Sequence, residues 1–111
     1  MVGTNYIACV VKILETPKQK VVKVKKETLM TKVRVLLPQK QKKRTTAIAR
    51  LTFWGKLASN VLESYQVNDY ILIEGYLSIL KQKNKKSKKI AITVLKVYPV
   101  FLTSNQVNRK I

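Results

Sequence analysis

The sequence predicts a mainly β domain with a single helix. Short segments rich in β-branched and aromatic residues alternate apolar and polar positions at the period of a strand. Lysine-rich stretches separate these segments, and only one segment carries apolar residues at helical spacing. The chain has 111 residues, the length of one domain, and its 46% apolar content suffices for a core. Residues 1–102 are expected to form that domain and residues 103–111 a short polar tail.

The first strand is NYIACVVKIL, residues 5–14, ending before Pro17. Ile7, Cys9, Val11 and Ile13 share one face, taken as the core face because Lys12 falls on the other with Tyr6, Ala8 and Val10. Residues 28–37 alternate more clearly, with Leu29, Val33, Val35 and Leu37 inward and Lys32 and Arg34 outward; Pro38 ends the run. Residues 45–54 place Ala47, Ala49, Leu51 and Phe53 inward. Thr46, Ile48, Arg50, Thr52 and Trp54 then face outward.

The helix spans about 56–65, where Leu57, Ala58, Val61, Leu62 and Tyr65 form one stripe. Residues 66–69, QVND, turn into a strand over 70–79 whose core face carries Ile71, Ile73, Leu77 and Ile79. Gly75 shares that face, where it would admit a close approach or a bulge. A last strand covers 90–101, interrupted by Pro99, and its facing is ambiguous because both alternating sets are mostly apolar. Three strands, a helix and two strands is the order of the OB-fold, a five-stranded Greek-key barrel with its helix between strands 3 and 4. A generic α+β sheet has the same order.

Lys and Arg number 23 against five acids, giving a net charge of +18, which points to a polyanionic partner. Histidine is absent and Cys9 is the only cysteine. That composition excludes an internal disulfide, a zinc site and any triad needing imidazole, so no metal or cofactor is expected. No enzyme is expected either. The acids form no close pair, Glu63 reads as solvated, and Glu74 reads as offsetting nearby lysines. Cys9 reads as a buried, inert thiol. The longest apolar runs are far shorter than the roughly 20 residues of a spanning helix, so no membrane partner is expected. The N-terminus has no basic stretch of the kind that opens a signal peptide.

The cations cluster in segments 18–27, 38–44 and 80–89, which read as loops between strands and hold five, four and six of them. In an OB-fold the first and last of these connections flank the oligonucleotide groove. Basic loops alone suit DNA, RNA or an anionic membrane. The face carrying Lys32, Arg34, Arg50 and Trp54 is more specific, since single-strand binders combine a cationic groove with aromatic platforms. Trp54 fits either that role or a core position at the strand–helix junction. The candidate binding residues are therefore Trp54, Arg50, Arg34, Lys32 and Lys56, with Lys23 and Lys25 from the first segment. Lys40, Lys42, Lys43 and Arg44 join them from the second segment, and Lys81, Lys83, Lys85, Lys86, Lys88 and Lys89 from the third.

Phe53–Trp54–Gly55–Lys56–Leu57–Ala58, followed by Ile73–Glu74–Gly75–Tyr76–Leu77, resembles the bacterial single-stranded DNA-binding proteins. Asn5 at the first strand and Thr16–Pro17 past its end fit as well. The Lys-rich composition and Val97–Tyr98–Pro99 resemble a short subgroup found in plastid genomes of red algae and in cyanobacteria. The resemblance implies an OB-fold that binds single-stranded DNA in support of replication, repair and recombination, as a homo-oligomer (a dimer or tetramer). It also implies a plastid location, in stroma or nucleoid, or otherwise a bacterial cytoplasm. It places Trp54 at a base-stacking aromatic, Arg50 at a basic groove residue and Lys56 at the Lys of the Gly–Lys–Leu string. The chain departs from the pattern in that Ile48 stands at a strand-three tryptophan. Pro38–Gln39 and the Gln82 region replace further aromatics, and the end, Asn108–Ile111, lacks the acidic tail that recruits replication partners. An RNA-binding OB module and a primosome-like protein-interaction module are the alternatives that the residues leave open.

Overall fold

The β-branched runs form strands where the pattern places them. The computed structural model describes residues 5–23, 25–38, 47–81 and 88–100. Along the chain lie β1 (Tyr6–Ile13), β2 (Lys18–Lys23), β3 (Glu27–Leu36), β4 (Ile48–Trp54), α1 (Lys56–Ser64), β5 (Tyr70–Lys81) and β6 (Lys88–Pro99). The sheet order is β1-β5-β6-β4-β3-β2, antiparallel except between β4 and β6. Lys12↔Leu36 and Ile13↔Val35 join β1 back to β3, so β1, β3, β4, β5 and β6 close a barrel.

Those five are the five expected strands. The sixth, β2, corrects the reading of segment 18–27 as a loop. Val21 and Val22 give it β propensity, and it pairs with β3 over six rungs, from Lys18↔Lys32 to Lys23↔Glu27. The helix therefore lies between β4 and β5 rather than between third and fourth strands. Segment 80–89 is also more than a loop, because β5 continues to Lys81 and β6 begins at Lys88. Residues 39–46, the lysines between 82 and 87, and the expected 103–111 tail lie outside the described residues.

The core is the inward set: Val11 and Ile13, Val33 and Val35, Ala49, Leu51 and Phe53, Ile71 and Ile73, Ile92 and Val94, with Ala58 and Val61 from α1. At roughly 25 cal/mol per Å² of apolar surface, this burial is the main stabilising term. Thr31, also inward and buried, donates from Oγ1 to the Ala58 carbonyl at 2.8 Å and fixes the helix on β3. Gly55, with φ 64°, makes the turn from β4 into α1, and its N–H donates to the Leu29 carbonyl at 2.9 Å.

Gly75 fulfils its expected role. A Cβ there would lie 2.1 Å from the Thr93 carbonyl oxygen. Beside it the register steps from Glu74↔Lys96 to Gly75↔Val94, leaving Leu95 as a bulge. The bulge explains why β6 could not be faced from sequence: Ile92 and Val94 point inward before it, and Val97 packs on the core after it. Ile79, expected in the core, is 56% exposed. Among the described residues the β1–β5 register ends at Tyr6↔Tyr76, three residues short of Ile79.

Candidate nucleic-acid interface

Register decides which side chains share the outer face of β2, β3 and β4. The β3–β4 rungs are Met30↔Trp54, Lys32↔Thr52, Arg34↔Arg50 and Leu36↔Ile48. Across β3, Val22↔Thr28, Lys20↔Met30 and Lys18↔Lys32 continue the same rows. A run of cations and one tryptophan thus lies on a single surface.

Two adjacent concavities cut into this surface. The first, about 300 Å³, is lined by Val22, Lys25, Lys26, Thr28 and Trp54. Trp54 is 43% exposed, which removes the core alternative for it. The second, about 360 Å³, is lined by Glu15, Lys18, Gln19, Lys20, Met30, Lys32, Arg34 and Arg50. Met30, only 5% exposed, gives it an apolar floor. Lys32 is half-buried there. Its own burial, then the charges of Lys20, Arg50 and Lys89, lower the pKa of its ammonium. Like charges crowded together raise the electrostatic potential that attracts a phosphate.

Glu15 is the one acid lining this second groove. Its Oε1 accepts from Arg34 Nε at 3.1 Å, and its Oε2 accepts from the Arg34 backbone N–H at 3.1 Å.

The structure therefore brings Trp54, Lys25, Lys32, Arg34 and Arg50 together and sets Lys89 close enough to act on Lys32. Lys23 departs from the group: it lies a residue out of phase with Lys20 and Val22 and is paired in register with Glu27. Lys56 is exposed at the start of α1 and lines neither groove. Lys81 and Lys88 face each other in register at the far end of the β5–β6 pair. Lys40, Lys42, Lys43, Arg44, Lys83, Lys85 and Lys86 lie outside the described residues. Lys18, Lys20, Lys26, Met30 and Glu15 escaped the sequence reading as groove residues. The Lys18-Gln19-Lys20 alternation was a usable signal, hidden once the segment was taken for a loop.

On the opposite side of the barrel, Glu74 is paired in register with Lys96 and accepts a hydrogen bond from the Tyr6 hydroxyl. That bond, then burial, pushes the Tyr6 phenol from 10.0 up to about 12. Tyr6 and Tyr76 meet edge to face with centroids 5.6 Å apart. Cys9 is half-buried rather than buried, and desolvation raises its thiol pKa. Among the described residues no helix is long and apolar enough to cross a membrane, and no group of three His, Cys, Asp or Glu could hold a metal.

The model of the single-strand binding protein family matches residues 4–100. The chain belongs to the single-strand binding protein family. Among family relatives, it is 32% identical over 111 residues to "Putative single-stranded DNA-binding protein ycf41" of Trieres chinensis, covering 95% of this chain and 96% of that one. The crystal structure of the SSB domain of a Synechococcus sp. protein superposes with a TM-score of 0.68 at 20% identity, covering 88% of this chain and 98% of that one. The second single-stranded DNA binding protein (SSBb) of Mycobacterium smegmatis gives 0.64 at 19% identity, covering 86% and 87%. These likenesses establish the OB fold of the family for this chain.

Proposed function

We propose that this chain binds single-stranded DNA along the outer face of β2, β3 and β4. The observation that carries the reading is the juxtaposition on one surface of exposed Trp54 with Lys18, Lys20, Lys25, Lys26, Lys32 and Arg50, in a member of the single-strand binding protein family. A base stacks on Trp54 while the adjoining phosphates meet Lys20, Lys32 and Arg50. These contacts are to backbone and π-face and so do not depend on sequence. The cations of segments 38–44 and 80–89, with Lys23 and Lys56, add to the electrostatic attraction for the phosphate backbone. The chain acts as a binder rather than an enzyme, in support of replication, repair and recombination. It associates with further copies of itself through the apolar first strand, as the family resemblance implies. The match to ycf41 of Trieres chinensis and the resemblance to the plastid-encoded subgroup support a plastid location.

Affinity for oligo-dT, measured from low to high salt, tests the reading. If Lys20, Lys32, Arg50 and Lys89 each neutralise one phosphate, the log–log slope reaches about −3 from these four alone. A flat slope, or no binding at low salt, refutes it. Matched RNA and DNA oligomers in competition decide against the RNA alternative if DNA wins.

A further inference from the structure

Arg34 and Arg50 face each other across β3 and β4, yet they are held differently. The β2–β3 pairing ends at Lys18↔Lys32, so the backbone of Arg34 has no β2 partner. Leu14 N–H donates to the Arg34 carbonyl at 3.0 Å, and the Glu15 carboxylate takes the Arg34 N–H. The same carboxylate takes Arg34 Nε. One acid thus grips both the main chain and the guanidinium of one residue. A guanidinium carries five N–H donors; Nε uses one. The four on its two Nη atoms meet no acceptor among the described residues, and the side chain is 59% exposed in the groove. Among the described residues no carboxylate grips Arg50, Lys32 or Lys20 in this way.

The consequence is a division of labour. Charge balance by Glu15 makes Arg34 a weaker phosphate ligand than its unpaired neighbours. The fixed orientation makes it a better partner for two adjacent neutral acceptors, because little rotamer freedom is lost on binding. Guanine offers such a pair, O6 and N7, the commonest bidentate target of arginine. In a single strand that edge is accessible.

We propose that Arg34, positioned by Glu15, reads guanine, so that one position of the bound strand carries a base preference on top of sequence-independent binding. The inference rests on the single-stranded DNA reading above. Glu15 is a positioning residue and Arg34 the reader.

Fluorescence anisotropy with a dT oligomer, the same oligomer carrying one central dG, and a version with 7-deaza-dG tests it. A single dG avoids folded G-rich structures. Bidentate contacts of this type discriminate by about fivefold or more, so the dG oligomer should bind about fivefold tighter than dT. The 7-deaza base, lacking N7, should lose most of that gain. Arg34→Lys keeps the charge and removes the fork, and the dG-to-dT ratio should fall to near one. Glu15→Gln keeps an acceptor for the backbone N–H but loses the carboxylate. It should raise dT affinity, having removed a negative charge, while lowering the ratio. Equal affinities in the wild type, or a ratio preserved in Arg34→Lys, overturns the inference with DNA binding left standing. Absence of binding to all three oligomers overturns the underlying reading as well.

Discussion

Trp54→Ala separates binding from folding at the residue where the two readings of the sequence diverged. Trp54 ends β4, is paired in register with Met30, and is 43% exposed. Removing a buried tryptophan costs about 3–5 kcal/mol; with only about half of its surface covered, truncation here should cost about 1–2 kcal/mol of stability. For a domain of this size each kcal/mol lowers Tm by about 4–8 °C, a shift that a thermal melt resolves. Stacking of one base is worth about 1–3 kcal/mol, so oligo-dT affinity should fall about 5- to 150-fold. The ring contacts no phosphate, so the salt slope should not change. Trp54→Phe should recover much of the affinity. The assay is anisotropy titration at three salt concentrations, beside a thermal melt of the same preparation. Unchanged affinity with lost stability would refute the stacking role, and a shallower slope would show that the loss lies in electrostatics instead.

Gly75→Ala should be severely destabilising, by about 1–3 kcal/mol or more, because its Cβ would meet the Thr93 carbonyl oxygen at 2.1 Å; a urea melt measures it. Thr31→Val deletes the 2.8 Å bond to the Ala58 carbonyl inside the core, and a loss of about 1 kcal/mol is expected in the same melt. Lys32→Gln relieves the repulsion from Lys20, Arg50 and Lys89, so Tm should hold or rise slightly while oligo-dT affinity falls; a clear drop in Tm would contradict the crowding of charge. The Tyr6 phenol is pushed from 10.0 up to about 12 by Glu74. A raised folded pKa means stability present below pH 10 and lost as pH climbs toward 12. Tyr6→Phe should remove that component of the alkaline loss, read as the difference between the two stability profiles.

The barrel was legible because its strands keep strict alternation: Val33 and Val35 inward with Lys32 and Arg34 outward leaves little choice of face. Alternation failed where geometry breaks the period, as at the Leu95 bulge in β6. It also failed at Ile79, which is exposed and lies past the last described β1–β5 rung. The site was half legible for a related reason. Trp54, Arg50, Lys32 and Arg34 sit on the alternate strand positions that mark an outer face, whereas Glu15 enters the groove through a chain bend that no local pattern reveals.

The misread segment 18–27 shows why composition misleads here. Lysine is depleted in strands in general, so KQKVVK looks like a loop. Yet among the described residues β2 pairs only with β3, at the end of the sheet order, and an edge strand is where lysine is favoured, since charge there blocks pairing with another chain. The same alternation that keeps the edge from aggregating turns Lys18 and Lys20 toward Lys32. The cost is repulsion, visible in the lowered Lys32 pKa, which a bound polyanion would relieve. Protection of the edge and capture of a phosphate backbone therefore ask for the same residues. That coincidence explains how a short chain poor in stacking aromatics can carry so large a charge on so small a fold.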